Sequence, residues 1–385
     1  MGLIILGLIL FVLLVVVHEY GHFLVAKKNG VEVEEFGIGF PPKLFGKKLG
    51  KGIFEGYYTI NLLPLGGFVK LKGEHDADTE KGTFGAASTK AKLKIMLAGV
   101  AMNLIVALGL FTIIAWLGMP QMVPNQFSVK SDQTITRSDV FASFVEPNSP
   151  AAKAGIVNGD IVKTLAGQNM SEGPQLRAVA KENAGKTVPV SFIHKGDTKN
   201  SQISILSSAE VEASLKTKDP KGYIGIAPKE FKPAKYTWSA PIVSAGTSAQ
   251  FTWLTLKALG SALASLGKAV ASAVTGHGKT AKQEASKASE NVSGPVGIFA
   301  VLQQGSVLGY QFILFIVAII SLTLAIMNAL PIPALDGGRA FVMLTFRALK
   351  KPLTEKTEEI IHGTGFVILI LLFLVITVVD VKRFY

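Results

Sequence analysis

The stretch Val15-Val16-Val17-His18-Glu19-Tyr20-Gly21-His22-Phe23-Leu24-Val25-Ala26 decides how this chain is to be read. It sets two histidines and a glutamate inside an apolar run that begins at Leu3 and closes at Lys27-Lys28. On a helix, side chains four apart share one face, so His18 and His22 can hold a single metal ion from two sides, with Glu19 beside them to handle a proton. The spacing is that of H-E-x-x-H. The pattern is short enough to arise by chance, but ionisable groups inside an apolar span are expensive unless they serve a site.

Residues 3–26 have the length of one membrane span. The lysine pair puts the C-terminal end of that span on the cytoplasmic side. At 1.5 Å per residue, His18 lies about 14 Å from Lys27, in the inner half of the bilayer. The N-terminus then faces outward, and the run lacks the basic leader and small-residue cleavage site of a signal peptide.

The rest of the composition agrees with a chain that is partly in lipid. Of 385 residues, 49% are hydrophobic and 17% charged, too apolar for an ordinary soluble protein and too long to be all membrane. A net charge of +12 raises nucleic acid as a partner, but the lysines cluster beside apolar runs and no aromatic-and-basic recognition motif stands out, so none is expected. With no cysteine, any zinc must rest on histidine and carboxylate.

Working outward, residues 31–72 are β-prone and broken by Gly37, Gly39, Pro64, Gly66 and Gly67. They are expected to form a hairpin or sheet that dips into the membrane against the metal site, its open edge a template for an unwound substrate segment. A second span at 95–119 follows Lys90, Lys92 and Lys94 and returns the chain outside. Its polar spot is Asn103, where packing between helices is preferred over a catalytic role. Residues 120–232 read as a soluble, extracytoplasmic α+β domain that looks like a single PDZ domain. Its closing loop, Tyr223-Ile224-Gly225-Ile226, corresponds to a peptide-binding groove; a plain spacer is the alternative. Residues 233–306 are expected as an amphipathic helix on the outer surface (242–275) and a mobile polar linker (276–293). A third span at 307–330 and a fourth at 363–379, with Arg339, Arg347, Lys350, Lys351 and Lys356 between them, leave both termini outside.

A catalytic zinc takes three protein ligands and leaves a fourth position open. Asp336, in Asn328-Ala329-Leu330-Pro331-Ile332-Pro333-Ala334-Leu335-Asp336-Gly337-Gly338, follows the third span on the same inner side as the first motif and is the leading third ligand. His194 and His277 fall in the outer region, and His75 and His362 lie in polar flanks without partners at ligand spacing. Glu19 is the expected base in peptide-bond hydrolysis. Asn328 could donate to substrate backbone or a developing oxyanion, or it could simply close a helix ahead of two prolines; spacing leaves both open.

Taken together, His18 to His22, Glu35 to Phe40, Pro64 to Lys70, Ala98 to Asn103, Ser293 to Ile298 and Asn328 to Gly338 resemble the site-2 protease family of zinc intramembrane metalloproteases, in its RseP-like bacterial branch of sigma-E regulators. The resemblance covers nearly the whole chain. It implies an inner-membrane enzyme with four spans and zinc on His18, His22 and Asp336, Glu19 acting as base. The expected substrates are single-span membrane proteins already trimmed by another protease, such as an anti-sigma factor in a stress response or a remnant signal peptide. It also implies that strands around Gly66 and Gly67 hold substrate in extended form, and that peptide termini or stubs meet the PDZ domain. Two departures stand out: many relatives carry tandem PDZ domains where this chain has room for one, and the polar linker is longer. A catalytically silent membrane scaffold presenting its PDZ domain is the competing reading.

Overall fold

The computed structural model describes residues 2–215, 220–290, 294–305 and 308–384. They form two compact units, residues 1–111 with 247–300 and 316–385, and residues 112–246 with 301–315.

The opening apolar run is one helix, α1 (Gly2–Lys28), with no proline to break it and Lys27 and Lys28 favourably placed in its last turn. Strands β1 (Val33–Leu49) and β2 (Gly56–Leu71) follow as an antiparallel hairpin running from Val33 opposite Leu71 to Leu49 opposite Gly56. The register shifts repeatedly between Val33 and Phe45, where glycines and the proline pair 41–42 interrupt the ladder. Aromatic rings clamp the hairpin to α1: Phe23 lies 5.7 Å, centroid to centroid, from both Phe36 and Tyr58. Other apolar side chains of the hairpin, Leu44, Phe45, Ile60 and Leu62 among them, remain exposed. Next come α2 (Thr89–Met96), capped by the Ser88 hydroxyl accepting from the Ala91 N–H, and α3 (Ala98–Leu117).

The second unit holds β3 (Thr134–Ile135), β4 (Asp139–Val145), α4 (Pro150–Lys153), β5 (Ile161–Leu165), β6 (Gln168–Asn169), α5 (Gly173–Glu182), β7 (Thr187–His194), β8 (Asp197–Ser204), α6 (Ser208–Ser214), β9 (Ile226–Phe231) and β10 (Ala234–Lys235). The main sheet is antiparallel in the order β8-β7-β5-β4-β9, with β6 paired to β5; β10 pairs with β3 apart from it. Strand alternation puts Val140, Val162, Val190 and Phe192 on one face, where they bury against Leu176 and Val179 of α5.

The chain continues as α7 (Ala240–Val274), α8 (Gly278–Glu290), α9 (Pro295–Gly305), α10 (Tyr310–Ala329), α11 (Asp336–Ala348) and α12 (Glu355–Phe384). Ser293 and Val307, which opened the expected Ser293–Ile298 motif and third span, lie outside the described residues. The stretch expected as a polar linker is helical over α8, where alanines and a Glu284–Lys287 pair at 2.7 Å favour the helix. Segments 5–28, 98–117, 310–329 and 355–382 are long and apolar enough to cross a membrane. Within the first unit, Ala26, Leu71, Phe84, Met96, Ala340 and Met343 share one core. That core seats the start of α11 beside the end of α1, and so positions the site.

Candidate metal centre

Helix α1 carries His18 and His22 one turn apart, and α11 brings Asp336 at its first residue. The Nε2 atoms of His18 and His22 lie 3.1 and 3.2 Å from the same oxygen, Asp336 Oδ2. They are 3.3 Å from each other. A tetrahedral zinc bound at 2.0–2.1 Å holds its ligand atoms roughly 3.3 Å apart, so the three donors already form one face of such a site. Asp336 Oδ2 is buried and, close as both imidazoles are, makes no well-formed hydrogen bond among the described residues. Burial would raise the Asp336 pKa, but the two imidazoles outweigh it and hold the carboxyl well below the ordinary range, as an anion.

The surroundings fix each ligand. His22 Nδ1 lies 2.7 Å from the Ile95 carbonyl oxygen, which can only accept, so Nδ1 carries the proton and Nε2 keeps its lone pair for a metal. At Gly99 an added Cβ would stand 2.4 Å from His22 Nε2 and 2.6 Å from His18 Nε2. Only glycine leaves that space free. Asp336 sits at a helix N-terminus, where the dipole favours a carboxylate. The loop before it is tightly turned: Ala334 has φ +78°, and its N–H donates to His362 Nδ1 at 3.2 Å. Side chains at 337 and 338 would collide with the Ala329 and Ile332 carbonyls, so the Gly-Gly pair lets α11 begin against this loop. Val69 of β2 lines the same small cavity as Glu19. Glu19, His22 and Asp336 together line a cavity of about 120 Å³ with Glu74 and Arg339, room for water beside the base.

Residues 6–372 match a family model described as Peptidase family M50. The chain belongs to the M50 peptidase family. It is 31% identical over 384 residues to a Clostridium acetobutylicum protein described as a zinc metalloprotease, with 98% of this chain and 97% of the relative covered. It is 28% identical to the regulator of sigma-W protease RasP of Bacillus subtilis and 25% identical to zinc metalloprotease RasP of Oceanobacillus iheyensis, each with 98% of both chains covered. This M50 peptidase is therefore a site-2-type zinc metalloprotease, RseP-like, and a multi-pass membrane protein.

The other residues singled out in the M50 peptidase's sequence are placed as follows. Gly66 and Gly67 run along α1: a Cβ at Gly67 would be 3.7 Å from Glu19 Cγ, and one at Gly66 3.5 Å from Val15. Asn328 is half-buried in the last turn of α10 and does not line the Glu19 cavity. Tyr223, Ile224, Gly225 and Ile226 line a groove of about 370 Å³ together with Leu176 and Ala180 of α5. His75 meets Glu355 and Glu359 at ligand spacing on an exposed surface, a grouping the sequence did not suggest because 280 residues separate its members. Sequence reasoning also missed Gly99, as a site residue, and His362, as a support for the Asp336 loop; both act through contacts that no spacing reveals.

Proposed function

We propose that this protein is a zinc-dependent intramembrane endopeptidase that hydrolyses a peptide bond within the transmembrane segment of a membrane protein already trimmed by another protease. His18, His22 and Asp336 hold the metal. The observation that carries the reading is the convergence of three donor atoms at 3.1–3.3 Å within an apolar helical setting. When bound there, zinc polarises the scissile carbonyl and acidifies a water. Glu19, which lines one cavity with His22 and Asp336, takes the proton at its carboxylate and returns it to the leaving amide nitrogen. Asn328, at the α10 terminus, donates to substrate backbone or oxyanion.

The hairpin's exposed apolar side chains favour a location in lipid, with the edge near Gly66 and Gly67 accepting an unwound substrate strand. Residues 120–232 act as a PDZ domain whose groove at Tyr223 to Ile226 receives a peptide terminus or stub. The lysine distribution supports a bacterial inner-membrane protein with both termini and this domain extracytoplasmic and the site in the cytoplasmic half. The relatives named RasP favour substrates of the anti-sigma-factor kind, or remnant signal peptides.

The test is zinc content and cleavage of a single-span substrate in detergent, comparing wild type with Glu19→Gln. Wild type should bind one zinc and cleave, and the variant should bind zinc and cleave about 10²–10⁴-fold more slowly. Equal cleavage by both, or no zinc in wild type, would leave the silent-scaffold reading standing instead.

A further inference from the structure

The motif 98–103 supplies two residues, Gly99 and Asn103, one turn apart on α3 and both turned toward the histidines. Asn103 is 1% exposed, and its side-chain amide lies 3.1 Å from His18 Nδ1 through Nδ2, while Oδ1 is buried with no hydrogen-bond partner among the described residues. The Asn103 main chain is itself tied down: the fully buried Ser321 hydroxyl of α10 donates to the Asn103 carbonyl at 2.8 Å. Close approach of α1 and α3 fixes the distance, since a Cβ at Gly21 would meet Ala98 O at 2.7 Å.

The two histidines thus differ in what stands behind them. His22 rests on a main-chain carbonyl, which can only accept. His18 rests on an amide that can either donate or accept, according to which end faces the ring. A metal-binding His18 needs its proton on Nδ1 and its lone pair on Nε2, and an Nδ1–H needs an acceptor. The Asn103 side-chain oxygen Oδ1, without a partner among the described residues, supplies one when the amide turns by half a rotation about its terminal bond.

We propose that Asn103 is a positioning residue for the metal centre: its side-chain oxygen accepts the His18 Nδ1–H and so holds His18 in the tautomer and ring orientation that present Nε2 to zinc. The inference rests on the ligand set proposed above. It predicts that loss of the amide weakens zinc binding about 10–100-fold, the usual effect of removing a residue that orients a ligating histidine. A carboxylate in the same place, as acceptor only, preserves binding.

The experiment measures zinc affinity by competition with a chromogenic chelator, on full-length protein in detergent, for wild type, Asn103→Leu, Asn103→Asp and His22→Ala. Thermal unfolding of the zinc-free forms is followed in parallel. The expected result is a 10–100-fold loss for Asn103→Leu, near wild-type affinity for Asn103→Asp, and zinc-free unfolding temperatures of the two Asn103 variants close to each other. Unchanged affinity in Asn103→Leu overturns the proposal, as does an equal loss in both Asn103 variants, which would mark Asn103 as a packing residue. If His22→Ala binds zinc like wild type, the ligand set fails rather than the role of Asn103. Should Asn103→Leu not fold, near wild-type affinity in Asn103→Asp supports the proposal, and a 10-fold or greater loss there contradicts it.

Discussion

The surroundings of His18 and the sheet unit around Phe192 bury side chains for opposite reasons. In the sheet unit the interior is apolar: Val140, Val162, Leu165, Val190, Phe192 and Ile203 close a core, and stability comes from removing that surface from water. Around the metal centre the buried groups include His18, His22, Asn103 and Ser321, each nine-tenths or more buried and held by neighbours at fixed distances. There, glycines at 21 and 99 give up packing so that helices and rings can come close. One region uses burial to fold, and the other uses it to hold reactive groups in place.

The comparison can be broken from either side. The largest expected effect is that of Glu19→Gln, which should lower cleavage by about 10²–10⁴-fold while leaving zinc content and unfolding unchanged; a loss of stability of similar size to the loss of rate would erase the distinction. In the sheet unit, Phe192→Ala removes a ring that is 1% exposed and should destabilise that unit by about 3–5 kcal/mol. Denaturant titration with zinc content measured alongside checks this, and zinc content should not change.

The smallest effect concerns Asp132, which accepts from the Thr237 N–H at 2.8 Å and the Ser239 N–H at 3.0 Å just ahead of α7. Desolvation pushes its pKa up, but the hydrogen bonds from Ser239 and Thr237 prevail and lower it to about 2. Because the folded value lies below the usual 3.8, the stability it adds is present above about pH 4 and disappears as the pH falls through 2. The difference in melting temperature between wild type and Asp132→Asn should therefore shrink between pH 4 and pH 2. A constant difference would mean that the carboxylate charge is not what matters.

Much of the membrane half was legible in the sequence because lipid imposes long apolar runs and lysine pairs mark their ends; α1 and α12 extend beyond the expected 3–26 and 363–379 mainly because polar flanking residues continue the same helices. His18 and His22 were readable as a pair because helical periodicity puts residues four apart on one face. Asp336 could be suggested from the side of the membrane it occupies, but not its distance from the histidines, which depends on a core shared by Ala26, Met96 and Met343. The turn at Ala334, the space left at Gly99 and the amide of Asn103 beside His18 were invisible, since each depends on contacts between segments tens of residues apart. The helical state of 278–290 was missed because polar composition was read as a linker, although its alanines and its Glu284–Lys287 pair favour helix.

X-ray absorption at the zinc edge on the purified protein in detergent, for wild type and Asp336→Ala, tests the central claim most directly. Wild type should show two imidazoles and carboxylate oxygen at about 2.0–2.2 Å, with the zinc lost or its shell clearly altered in the variant. A third imidazole, or a spectrum that Asp336→Ala leaves unchanged, would contradict it.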